Sequence, residues 1–266
     1  MRAEKKKHGI AFPSYLKTPL AVLFWLGVWF LVCEWVEMEL LVPSPRAVLG
    51  AFGELLREGE FYLSCINSLF RVLTGWLAGT AAGTVLGILS HLSSHIRALF
   101  QPLLHIVKAT PVASFIVLAL VLMHSGAVPA FTCALITVPV VWANIAEGLS
   151  SPDKKLLEMA ECFNMSRKNR IRDIYIPAVK PYFSAAAITA MGLSWKAGIA
   201  AEVICSPKNT IGAGISDAKV YLESEELYAW TIVVIVMSVL IEKGIIFLLD
   251  KLVKKGGVAN VKTLED

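Results

Sequence analysis

Six long apolar runs constrain this chain more than any other feature. They lie at roughly 18–37, 69–92, 98–123, 127–149, 174–204 and 227–250. Each is long enough to cross a hydrocarbon core, which takes about 20 apolar residues. Composition agrees: 56% of the residues are hydrophobic and mean hydropathy is +0.64, above the roughly 45–50% apolar residues of a soluble globular domain. The expected architecture is all-α and polytopic, with six transmembrane helices. One membrane domain, 18–255, is flanked by an arm at 1–17 and a tail at 256–266.

The positive charges give the orientation. Arg2, Lys5, Lys6, Lys7 and Lys17 precede the first run, and Lys251, Lys254, Lys255 and Lys262 follow the last. The connection between the fourth and fifth runs carries Lys154, Lys155, Arg167, Lys168, Arg170 and Arg172. The alternate connections are poorer in cations, so the positive-inside rule puts both termini and the 150–177 loop in the cytoplasm. The first run has the basic and apolar regions of a signal peptide, but it is long and no small-x-small site precedes Glu34 and Glu37. An uncleaved anchor is expected.

The polar loop reads SSPDKKLLEMAECFNMSRKNRIRDIYIP from Ser150 to Pro177. Ser151 can cap a helix whose first position is Pro152. Leu156, Leu157, Met159, Ala160 and Phe163 then recur at near-helical spacing. Asn164 can end that helix, since Asn tolerates a left-handed backbone, and Ser166 can cap a second, basic helix running to Pro177. A half-apolar helix on a basic loop has nothing in its own loop to cover its stripe. It calls for a partner.

Glu158, Met159, Ala160, three residues, Asn164, nine residues, then Ile174, Tyr175, Ile176 and Pro177 resemble the signature loop of binding-protein-dependent ABC importer permeases. That signature is Glu-Ala-Ala, three residues, Gly, nine residues, Ile, any residue, Leu, Pro. The spacing matches throughout; Met159, Asn164 and Ile176 are the departures. Leu41 to Arg46 with the helical stretch 47–61, and Ser68 to Val72, resemble the nitrate, sulfonate, taurine and bicarbonate group of these permeases.

The resemblance implies a methionine-importer-like permease fold in a bacterial inner membrane, multi-pass, with N- and C-termini cytoplasmic. It implies that Leu157, Glu158, Met159, Ala160, Phe163, Asn164 and Pro177 couple the permease to a separate ABC ATPase subunit, present in two copies, which carries the ATP and Mg. No cofactor is expected in this chain and no nucleic acid among its partners. The expected partners are a second permease copy in a homodimer, an external substrate-binding protein and the lipid bilayer. The implied solute is small and anionic, of nitrate, sulfonate or taurine type, although similar permeases carry thiamine precursors or riboflavin-like compounds.

Other residues stand out along the chain. Gly75, Gly79, Gly83 and Gly87 are each four apart, which puts them on one helical face where another backbone can approach closely. Pro102 and Pro111 bracket Lys108, which lies eleven residues beyond Arg97, or about 16 Å along a helix. A cation at such depth costs about 2.5–3.5 kcal/mol on insertion scales. Lys108 therefore either faces a translocation path or bonds to carbonyls freed by Pro111. Trp195 and Lys196 are further pathway candidates, whereas Glu202, near the outer end of its run, reads as a solvated carboxylate. Thr210 to Ile215, TIGAGI, reads as a Gly-x-Gly turn opening an external segment.

His91 and His95 are four apart, without an evident third metal ligand. The five cysteines are scattered and odd in number, so they form no disulfide framework. No Gly-x-x-x-x-Gly-Lys-Ser/Thr loop is present, so ATP hydrolysis belongs to another subunit. The rival classes are an intramembrane enzyme, for which Ser125 and His105 lack the right context, and a channel or carrier without an ATPase.

Overall fold

The computed structural model of the protein describes residues 14–254. The basic arm ahead of Ser14 and the tail beyond Lys254 lie outside the described residues. The elements are α1 (Ser14–Val36), α2 (Pro45–Leu55), α3 (Gly59–Leu92), α4 (Ser94–Ala109), α5 (Val112–Leu122) and α6 (Val128–Ser150), then α7 (Lys154–Cys162), α8 (Arg167–Arg170), α9 (Ile176–Cys205), α10 (Ile211–Tyr221) and α11 (Ser224–Lys254). A single π-type turn, Ile171–Tyr175, joins α8 to α9. All regular structure among the described residues is helical.

Five segments are long and apolar enough to cross a membrane: Pro19–Val36, Gly59–Leu92, Val128–Ser150, Arg167–Cys205 and Ser224–Leu249. The apolar run at 98–123, marked by Pro102 and Pro111, is not one straight helix. It is the pair α4 and α5, bent by 107° at the break between them. Pro111 is the cause, because it lacks an N–H and drives the preceding residue out of the helical region; Thr110 has φ −85° and ψ 134°. Pro102, by contrast, stays inside α4. The fifth span also starts earlier than 174: α8, the π turn and α9 form one continuous rod from Arg167. The widened turn falls immediately ahead of Pro177, whose missing N–H interrupts the α-helical register.

The core forms where α3, α6 and α9 cross. Along α3 the four glycines meet α6 once per turn. A Cβ at Gly79 would lie 2.6 Å from Thr137 Cβ, one at Gly83 2.8 Å from Val138 O, and one at Gly87 2.7 Å from Ile145 Cβ. At Gly75 the Ala130 carbonyl takes the space. Real Cβ atoms do not approach that closely, so the helices touch along this face because nothing projects from it.

α9 brings Ala186, Ala187, Ala190, Ala197 and Gly198 to the same centre. Several polar groups buried there find partners, although the Thr80, Ser90 and Thr132 hydroxyls stay unbonded among the described residues. Trp76 Nε1 donates to Ala187 O at 3.1 Å, Thr137 and Ser194 hydroxyls share a bond of 2.7 Å, and Cys133 Sγ donates to Ser194 O at 3.2 Å.

Shorter elements flank this core. Ser44 caps α2, accepting from Ala47 N–H at 3.3 Å with Pro45 next, and the helix ends at Leu55 rather than near 61. Val48 and Leu55 are its buried residues, and it packs on α11. The Gly-x-Gly turn read at 210–215 is a helix start instead: Thr210 accepts from Ala213 N–H at 3.1 Å, and Gly212 and Gly214 fall in the first turns of α10. α1 touches the rest sparsely, through Trp29 stacked on Tyr228 at 6.0 Å. Its outer surface stays bare, with Trp25 67% and Trp35 86% exposed.

Candidate functional site

The polar connection between α6 and α9 is a folded hairpin. α6 closes on Ser151, whose Oγ donates back to Gly148 O at 2.8 Å. Ser151 therefore ends one helix rather than capping the next, a correction to the reading from sequence. Asp153 is the N-cap of α7, its carboxylate accepting from Lys155 N–H at 2.9 Å. At the far end Asn164 takes φ 49°. Met165 N–H donates to Ala160 O and Asn164 N–H to Glu161 O, both at 2.9 Å, which is the paired closure of a Schellman motif. Ser166 then caps α8, accepting from Asn169 N–H at 3.3 Å, and Arg170 reaches back to Glu161 at 3.5 Å.

Among the described residues α7 packs extensively on no other helix. Its bare apolar face is part of the stripe read from the sequence. Ala160 is 3% exposed and Leu157 half-buried. Leu156, Met159 and Phe163 are 40%, 50% and 80% exposed. Of the five apolar residues read from the sequence, Leu157 and Ala160 turn inward, and Leu156, Met159 and Phe163 form the bare face at i, i+3 and i+7. The Schellman closure, which bonds Met165 back over Ala160, turns the smallest residue of the pattern inward. Glu158 is exposed in the second turn, and Pro177 is half-buried in the first turn of α9.

The pathway candidates separate. Lys108 is exposed in the last turn of α4, beside the 107° bend. Lys196 is exposed on α9. Neither forms an ion pair among the described residues. Trp195 is withdrawn from the set: it is 1% exposed, and its indole N–H donates to Val234 O at 3.1 Å. It ties α9 to α11. His91 lies with its ring edge-on to Tyr175 at 6.4 Å and within 3.5 Å of Ser150 Oγ.

Glu202 was misread as solvated; it is fully buried. Ser68 Oγ donates to Glu202 Oε2 at 2.6 Å and itself accepts from Ile211 N–H at 3.0 Å. Gly212 N–H donates to the same Oε2 at 3.3 Å. The carboxylate therefore sits on the open N–H groups at the start of α10, where the helix dipole favours negative charge. Gly212 is pressed against Glu202 so closely that a Cβ would overlap it. Arg71 Nη1 and Glu202 Oε1 are both buried and unbonded. One side chain thus pins α3, α9 and α10 together.

Five apolar spans, a bent pair and a closed hairpin with a bare apolar face define a multi-pass membrane protein. Comparison with known proteins narrows the class. The sequence pattern of the family described as "binding-protein-dependent transport system inner membrane component" matches residues 79–255, and the chain belongs to that family. It is 24% identical over 256 residues to SsuC of Bacillus subtilis, a permease protein named for aliphatic sulfonates transport, covering 95% of this chain and 92% of the relative. It is 30% identical over 205 residues to the Escherichia coli protein of the same name, covering 75% and 76%. To the nitrate import permease protein NrtB of Synechocystis sp. it is 26% identical over 262 residues, covering 93% and 94%.

Proposed function

We propose that this chain is the membrane-spanning permease subunit of an ATP-driven importer and that α7 is the element through which a separate ATPase drives it. The carrying observation is the hairpin itself. Its ends are closed by Asp153 and Asn164, so it holds its shape without a partner. Its face of Leu156, Met159 and Phe163 is bare, and an apolar helix face of this kind suits a groove on another protein. The ATP and Mg belong to that ATPase, taken here as two copies. The basic character of the hairpin, with the other cation-rich connections, supports a cytoplasmic position for it and for both termini.

Two identical permease copies complete the pathway in this reading, and an external binding protein delivers the solute. The solute class is a small anion. Relatives named for sulfonates and nitrate support it, as does Lys108, an exposed cation beside a broken span. Such a cation lowers the barrier for a passing anion without holding it tightly. The layout follows as a transmembrane domain over 18–255 with the coupling loop at 150–177.

The test is co-purification of the ATPase with the permease from membranes. Met159→Arg combined with Phe163→Asp is expected to abolish it while the permease remains inserted. Undiminished co-purification with both substitutions overturns the proposal.

A further inference from the structure

A cavity of about 510 Å³ opens beside the hairpin. Its walls come from the end of α3, the end of α6 and the start of α9, and include Ile88, Leu149, Ile171, Val179 and Phe183. The π turn contributes Ile171 and Tyr175. The volume falls in the range of about 300–1,000 Å³ typical of sites for small ligands. It opens outward, since Ile88, Ile171 and Ile176 are 42%, 54% and 46% exposed. Polar groups are few: His91, Tyr175, Lys180 and Thr84.

We propose that this cavity holds an acyl chain of an anionic phospholipid, with the phosphate on Lys180. Depth is the first argument. α3 ends at Leu92, α6 ends at Ser150 and the α9 rod begins at Arg167, so all three walls end on one side of the membrane. The cavity therefore lies just inside the headgroup layer of that side, where a tyrosine such as Tyr175 in its lining belongs. Charge is the second. Lys180 is half-buried beside an apolar wall and has no ion-pair partner among the described residues. Basic groups at apolar clefts between membrane helices are the sites that recognise anionic headgroups.

Other occupants fit less well. α1 of a second copy carries no carboxylate between Pro19 and Cys33 to meet Lys180. An acyl chain fills an apolar cleft without burying any polar group.

Native mass spectrometry of the purified full-length permease, with added palmitoyl-oleoyl phosphatidylglycerol or phosphatidylcholine, tests this. The wild-type protein is expected to retain phosphatidylglycerol in preference. Lys180→Gln, which keeps the shape and removes the charge, is expected to lower phosphatidylglycerol retention about fivefold and leave phosphatidylcholine unchanged. Val179→Trp, which fills the cavity, is expected to remove both; should it fail to assemble, Lys180→Gln decides alone. Equal phosphatidylglycerol retention by Lys180→Gln and wild type overturns the proposal. So does a cross-link from an Ile88→Cys variant to α1 of a second copy. Lipid retention is read without any transport or ATPase assay, so it stands or falls apart from the proposed function.

Discussion

Glu202 illustrates how much one side chain can hold in a membrane protein. Its Oε2 accepts from Ser68 and from Gly212 in a site with no solvent exposure. Removing that acceptor strands a hydroxyl and an amide, so Glu202→Ala is expected to cost about 2–4 kcal/mol. Glu202→Gln keeps a carbonyl acceptor and should recover at least half of this in thermal unfolding of the detergent-solubilised protein. Equal melting temperatures for Glu202→Ala and wild type would contradict the assignment.

Lys108 behaves oppositely, being exposed and unpaired among the described residues. Lys108→Met should leave stability within about 0.5 kcal/mol while uptake of an anionic solute into proteoliposomes falls sharply. A fall in stability with uptake per folded protein unchanged would make Lys108 a structural cation. Neither environment was legible from spacing. Ser68 lies 134 residues from Glu202, and no local pattern signals a partner at that distance.

Elements divide according to whether their signals are local. The glycine register of α3 could be read directly, because a four-residue repeat on a helix is already a statement about one face. The structure sets that face on α6. Gly79→Leu should therefore overpack the crossing and destabilise the protein by about 1–3 kcal/mol or more. Gly192→Ala, where a Cβ would meet nothing within 4 Å, should be neutral or stabilising by about 0.5–1 kcal/mol. Parallel unfolding curves check the pair, and equal effects at the two positions would show that the close approach is unimportant.

The cap at Ser166 was legible for the same local reason. Ser151 was not, since a serine between two helices can bond backward to one or forward to the other, and here it bonds back to Gly148. The prolines marked a break in the third span, but a missing N–H sets only where a helix stops. The angle of 107° comes from packing.

At the scale of the whole molecule, the chain buries a tight centre and leaves much of its apolar surface bare. α3, α6 and α9 are locked by small residues, while α1 and α5 expose residues such as Trp35 at 86% and Val121 at 80%. Bare surface of this extent belongs against lipid or another chain. The hairpin is different, because its bare face stands on a polar loop away from the spans. The six-run pattern foretold the helical class, and the spacing from Glu158 to Pro177 located the hairpin. Only the Schellman closure revealed which face it offers.

The central claim, that this face docks on an ATPase, has a probe built into the chain. Cys162 is the exposed one of the five cysteines and ends α7 next to Phe163; Cys133 is buried and the other three are half-buried. Maleimide labelling, read residue by residue by mass spectrometry, compares the permease alone with the permease–ATPase complex. The account predicts that Cys162 labels quickly in the permease alone and at least about tenfold more slowly in the complex, as for a helix face seated in a groove. Equal labelling rates in the two states would contradict it.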